Sequence, residues 1–132
     1  MALTNNRRTT ERSGSDNHDP VAAGKIIYMG ALVVLDAAGN LAPGSTAPNL
    51  AARGVATEYA DNSAGAAGDL SAPSRTGVFI LKNDGSIDRT HIESNCYIVD
   101  DETVAATDGA LTRSVAGRIT DVTTAGVSVK IG

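Results

Sequence analysis

The chain is poor in the residues that usually build large cores and rigid frameworks. Only four of its 132 residues are aromatic (Tyr28, Tyr59, Phe79 and Tyr97), and tryptophan is absent. A base-stacking nucleic-acid binder needs an aromatic platform, as does a carbohydrate module, so both classes are disfavoured. The single cysteine, Cys96, leaves no internal disulfide framework and no thiolate metal cluster. It reads as a small residue packed inside a strand. Long apolar runs are missing too. No run approaches the ~20 residues that cross a bilayer, and the N-terminus lacks the roughly 7–15-residue apolar stretch of a secretory signal. The expectation is a soluble protein made in a cytoplasm, with no membrane partner. Positive charge is also scarce: 11 basic against 15 acidic residues give a net charge of −4. A protein that grips phosphate backbones shows the opposite balance, so no direct nucleic-acid contact is expected.

What the chain has in quantity is small residues. Alanine (21) and glycine (14) together exceed a quarter of the sequence. A core of Val, Ile, Leu and Ala is thin, because few side chains bury a large area each. The length suits one domain. Such a scaffold is expected to draw stability from something outside itself.

Residues 1–20 stand apart, being rich in Asn, Thr, Ser, Arg and Asp, with Leu3 the sole large apolar residue after Met1. Burial cannot offset the ordering entropy of such a segment, so it reads as a flexible N-terminal arm, followed by a single β-rich domain over residues 21–132. Arg7, Arg8 and Arg12 lie early in the arm, and Asp16 and Asp19 lie late. Mobile cations find acidic surfaces easily, which makes the three arginines the candidate contact residues for a partner.

From Val21 onward, short apolar runs alternate with turn chemistry. Residues 25–29 and 31–35 are two such runs, joined or kinked at Gly30, and residues 36–40 supply a turn. Residues 42–52 hold Pro43 and Pro48 and read as a loop. Residues 54–59 alternate, with Val55, Thr57 and Tyr59 on one face, and residues 61–73 form a small-residue loop. Residues 76–81 are apolar on both faces, the pattern of a strand covered on both sides. Asn83-Asp84-Gly85 is a turn, and residues 88–95 allow one helical turn capped by Asp88. Residues 96–99 read as a strand and Asp108-Gly109 as a turn. Two β-runs, 114–122 and 126–131, close the chain, with Val127, Val129 and Ile131 facing inward. Strands at short spacing with no long helical period predict a mainly β fold, a small compact barrel or sandwich with at most one or two short helical turns.

The catalytic inventory is thin. His18 lies in the arm. His91 is near Cys96 in sequence, yet no nucleophile motif surrounds the thiol. Asp100, Asp101 and Glu102 carry oxygen ligands for a hard cation, but consecutive residues of an extended chain point alternately, so a solvated turn is the better reading. The stretch from Asp84 to Asp88 lacks the remaining ligands and the distal Glu of a calcium loop. Gly65-Ala-Ala-Gly68 lacks the Lys-Ser/Thr end of a phosphate loop. No catalytic residue, cofactor-binding residue or metal ligand is assigned, and the chain is not expected to be an enzyme.

Two stretches carry a resemblance. Gly54-Val-Ala-Thr-Glu-Tyr-Ala-Asp-Asn-Ser-Ala-Gly-Ala-Ala-Gly-Asp-Leu-Ser-Ala-Pro-Ser-Arg-Thr-Gly-Val-Phe79 resembles the middle of tailed-phage head decoration proteins. Cys96-Tyr-Ile-Val-Asp-Asp-Glu-Thr-Val-Ala105, followed by Arg113-Ser-Val-Ala-Gly117, resembles the same group, and the likeness spans residues 24–132. The resemblance implies a lambda-like β-tulip fold and a cement protein on the outer surface of the virion capsid. It implies as partners the major capsid protein and further copies of the chain, as a homotrimer. Its action is passive: bridging capsomers raises the cost of shell opening under the pressure of packaged DNA. A second class is another phage structural subunit, of the tail tube, the head completion or the fibre base. A third is a soluble enzyme or small-ligand module.

Overall fold

The computed structural model describes residues 2, 4–8 and 14–132. Twelve strands and one short 3-10 turn make up the described chain, so the fold is mainly β, small and compact, as expected. In chain order the strands are β1 (Asp16–Pro20), β2 (Ile26–Ile27), β3 (Leu32–Leu35), β4 (Leu41–Pro43), β5 (Ala51–Ala56) and β6 (Ala60–Asp61). Then come β7 (Ser71–Arg75), β8 (Gly77–Asn83), β9 (Asn95–Ile98), β10 (Thr103–Ala105), β11 (Val115–Thr123) and β12 (Gly126–Ile131).

Strands β10-β8-β12-β11-β9 close into a barrel, β1-β7-β5-β3-β4 form an open antiparallel sheet, and β2 pairs with β6. Only the β8–β10 contact in the barrel is parallel. The closing hairpin follows the predicted alternation: Val127, Val129 and Ile131 are buried while Lys130 faces solvent. Gly117 lets β11 pass close to β12, because a Cβ there would lie 2.3 Å from the Lys130 carbonyl oxygen. The turn over residues 36–40 is closed by Asp36, whose Oδ1 accepts from the backbone N–H of Ala38 and Asn40. The 3-10 turn Arg89–His91 is capped by Asp88, which accepts from the Thr90 N–H, while His91 Nδ1 accepts from the Asp88 N–H.

Strand β3 sits between two cores. Leu32 and Val34 point into the larger cluster, which fills the barrel with Leu81, Ile98, Val104, Ile119, Val127, Val129 and Ile131. Val33 points the other way, into a smaller cluster of Val21, Ile27, Leu41 and the alanines 56, 60 and 72.

Four expectations need correction. The proposed arm does not run to Pro20: residues 16–20 form β1, paired along its whole length with β7. The polar sequence hid this because the strand is held by main-chain bonds and by a charge pair rather than by apolar side chains. Asp19 accepts two hydrogen bonds from Arg53, Nε to Oδ2 at 2.8 Å and Nη2 to Oδ1 at 3.1 Å. Arg53 lies on β5, and β7 stands between β5 and β1 in the sheet order. The second correction concerns the run from Gly54 to Tyr59. Strand β5 ends at Ala56, with Gly54 and Ala56 buried, Val55 half-buried, and Thr57 and Tyr59 exposed. The third concerns the two expected loops: that over residues 42–52 is shorter because β4 runs to Pro43 and β5 starts at Ala51, and that over 61–73 is shorter because β7 starts at Ser71 and includes Pro73. Proline is accommodated because β5 pairs with β7 only at Ser74 and Arg75. The fourth is β8, expected to be covered on both faces. Phe79 and Leu81 turn inward, but Val78 and Ile80 are 57% and 61% exposed on the outer barrel wall.

Candidate interaction surfaces

The residues singled out for chemistry do not converge. Arg7 and Arg8 are exposed, and Arg12 lies outside the described residues. Cys96 is fully buried in the barrel core; its thiol faces the Gly117 carbonyl at 3.6 Å, and burial pushes its pKa up to about 11. His91 is engaged in the cap with Asp88, so imidazole and thiol each have other partners. Asp84 Oδ1 accepts from Ser86, through both its N–H and its hydroxyl. Gly65 packs tightly on Asn62, and the N–H groups of Gly65, Ala66 and Gly68 donate to the Asn62 carbonyl, Asp69 Oδ2 and the Val21 carbonyl. Asn62 itself is buried and donates to the carbonyls of Val21, Ala22 and Ala66, pinning this loop to the strand ends.

The acidic trio is a turn with a graded field. Burial alone would raise Asp100, but hydrogen bonds from Glu102 and Thr103 outweigh it and hold its carboxyl below the usual range. Asp101 is raised, first by burial and then by the charges of Asp100 and Glu102. Glu102 is paired with Lys82 at 2.6 Å. Asp101 and Glu102 line one side of a cleft of about 480 Å³, with Tyr28, Met29 and Gly30 on the other. Tyr28 and Tyr59 stack obliquely beside it, ring centroids 5.5 Å apart, and both are more than half exposed. Two of the four aromatic residues are thus spent on the surface. Nothing in the pattern of residues 25–29 distinguished Tyr28 and Met29 from buried strand residues; the kink at Gly30 turns them outward.

A second groove, of about 530 Å³, lies where β9 and β11 meet two loops. Tyr97 from β9 and Val115 from β11 contribute apolar walls. One rim is Pro48, Asn49 and Leu50, tied to the residue before β11, Ser114: its hydroxyl donates to the Ala47 carbonyl at 2.7 Å and accepts from the Leu50 N–H at 2.9 Å. The other rim is the expected turn at Asp108-Gly109, which continues in an unexpected way. Gly109, Ala110 and Leu111 all have left-handed backbone, with φ of 60°, 59° and 70°. For Ala and Leu this costs about 1 kcal/mol or more each, since Cβ crowds the following carbonyl. The turn persists because the Asp108 carbonyl accepts from the N–H groups of both Thr112 and Arg113 at 3.0 Å, and Thr112 Oγ1 donates to the Gly109 carbonyl at 2.8 Å. Asn49 on the opposite rim is left-handed as well, so two of the four non-glycine residues with such backbone, among those described, line this groove, and a third, Ala110, directly precedes Leu111. The outcome is Leu111 held 78% exposed beside an apolar groove. Arg113 adds a charge to the lining, and its Nε is buried without a hydrogen-bond partner. In the sequence only the Asp108-Gly109 turn marked this site, because Ala110 and Leu111 do not encode left-handed backbone.

Comparison of the chain with protein-family models, curated proteins and solved structures found no match. Among the described residues, no group of three or more His, Cys, Asp or Glu side chains is placed to hold a metal ion.

Proposed function

We propose that the chain is a structural virion protein that binds the outer surface of an expanded phage capsid and bridges neighbouring capsomers. The observation that carries this reading is the distribution of apolar side chains. A chain with few large hydrophobic residues leaves Tyr28, Met29, Tyr59, Val78, Ile80 and Leu111 each more than half exposed. Exposed apolar surface on a small, thinly filled scaffold favours association, and each neighbour that binds only the folded state adds to its stability. The resemblance of residues 54–79 and 96–117 to head decoration proteins supplies the kind of partner, the major capsid protein. Many copies on one shell make individually weak contacts effective. Arg7, Arg8 and Arg12 are the proposed arm contacts, and no cofactor or turnover is required.

The test is direct. Purified protein is mixed with expanded and unexpanded heads that lack it, and the particles are imaged. Regular occupancy of the expanded lattice is expected. Binding at a single vertex or to tails would instead assign the chain to another virion part. The arm is tested by removing residues 1–15, which leaves β1 in place; capsid affinity should fall, and an unchanged affinity removes the arm from the contact.

A further inference from the structure

We infer that the groove between residues 48–50 and 108–115 is a two-fold interface between two copies of this chain, with Leu111 of each copy seated in the groove of the other. Three observations carry it. First, knob and hole lie on the same patch: Leu111 projects 78% exposed at the rim of a groove walled by Leu50, Tyr97 and Val115. A patch that carries both halves of an apolar contact is self-complementary, which is the requirement of an isologous interface. Second, the patch is self-complementary in charge. Asp108 and Arg113 both line the groove, and no ion pair joins them within one chain. A two-fold axis through the groove brings Asp108 of each copy to Arg113 of the other, so both pairs form at once. Third, the surface is built at a cost. Left-handed backbone at Ala110 and Leu111, residue types that rarely adopt it, is held by the Asp108 carbonyl. Strain of this kind persists where the surroundings over-determine it, and here its product is the presentation of one leucine.

The occupant is a second copy rather than a small molecule because the groove is open and its most prominent feature is a projecting side chain. The interface concerns this chain alone and does not depend on the capsid reading; it is measured in the absence of heads.

Sedimentation equilibrium of the full chain over a range of concentrations reads the association. A reversible dimer is expected for the wild type. Leu111→Asp should weaken it by about 30-fold or more, the scale of a central anchor residue. Charge reversal at one site, Asp108→Arg or Arg113→Asp, should also weaken it, and combining the two reversals should restore much of the loss, because both cross-axis pairs are re-formed. Thermal unfolding monitored in parallel shows that each variant is folded; Asp108→Arg leaves the backbone carbonyl that holds the turn untouched. A wild type that stays monomeric at every concentration overturns the inference. So does a trimer, or a dimer that is indifferent to Leu111→Asp, or a double reversal weaker than either single one. Loss of head binding by Leu111→Asp with no self-association in the wild type would hand the groove to the shell and equally overturn the copy–copy contact.

Discussion

The barrel and the open sheet draw on the same small alphabet of residues but are held by different forces. The barrel closes on itself and has no edge to protect. Its core cluster has fourteen buried residues, three of them alanine. The far face of the sheet is closed by seven, and again three are alanine. Each side chain there buries less area, so the sheet's outer layer gains less from exclusion of water. It compensates with polar clamps: Arg53 on Asp19 across β7, and Asn62 on the carbonyls of Val21, Ala22 and Ala66. The lesson is that scarcity of large side chains does not thin a protein evenly. Here the barrel keeps the aliphatic residues and the sheet is finished with hydrogen bonds.

Truncating one aliphatic side chain in each cluster separates the two most directly. Ile119 and Val33 are both fully buried. Ile119→Ala should cost about 4 kcal/mol of unfolding free energy, because the closed barrel wall cannot collapse into the cavity. Val33→Ala removes less volume beside small, adaptable neighbours and should cost about 2 kcal/mol. Urea unfolding of both variants measures the gap. Equal losses would mean that the two clusters are packed alike.

The next effect belongs to the barrel alone and appears only in alkali. The folded Cys96 thiol has its pKa pushed to about 11 from an ordinary value of 9.0. The native state therefore holds this proton more tightly than the unfolded chain does. Its contribution is complete below the unfolded pKa and is lost as pH rises through the window between the two values. By the top of that window about 2–3 kcal/mol has gone. Wild type should lose stability between about pH 9 and 11 more steeply than Cys96→Ala. Parallel curves would show that the thiol ionises without unfolding the barrel.

How much of this division was written in the sequence depends on the element. The closing hairpin was legible, since Val127, Val129 and Ile131 alternate with polar residues and a half-buried strand has no other solution. Residues 31–35 and 76–81 were not separable, because both are continuous apolar runs. One became β3, buried on both faces between two cores, and the other became β8, with an outer face open to solvent. Only long-range pairing decides which run gains a second cover, and local pattern carries no such information. Strand β1 was illegible for the opposite reason. Its sequence is polar, and what orders it, β7 and Arg53, lies more than thirty residues away. The groove beside Leu111 was half legible: Asp108-Gly109 announces a turn, but two further left-handed residues depend on hydrogen bonds that only the fold supplies.

The sheet's clamp gives a smaller effect that sharpens the same contrast. In the Asp19–Arg53 pair the side chains are 12% and 31% exposed, and both hydrogen bonds are charge-assisted. Arg53→Ala should cost about 2 kcal/mol, because it strands a largely buried carboxylate. Arg75 also pairs with β1, at Asp16, but both partners there are more than half exposed. Arg75→Ala should cost no more than about 0.5 kcal/mol. Chemical unfolding of the two variants separates a clamp from a surface pair; equal losses would remove the clamp from the account of how β1 is held.

The smallest effect tests the barrel's outer wall. Val78 and Ile80 project from β8 into solvent, flanked across β12 by Lys130 and Ser128. Replacing both by threonine keeps the β-branch that suits a strand and removes apolar surface that the monomer does not bury. Stability should change by no more than about 0.5 kcal/mol per site, whereas Leu81→Ala, one residue further along the same strand and turned inward, should cost about 3 kcal/mol. A large loss from the threonine pair would mean that the wall is covered within the isolated chain. If the pair is neutral in the free protein but weakens occupancy of expanded heads, the bare wall is a face that the lattice covers. The two alternating faces of one strand would then serve different assemblies, the inner face the barrel and the outer face the shell.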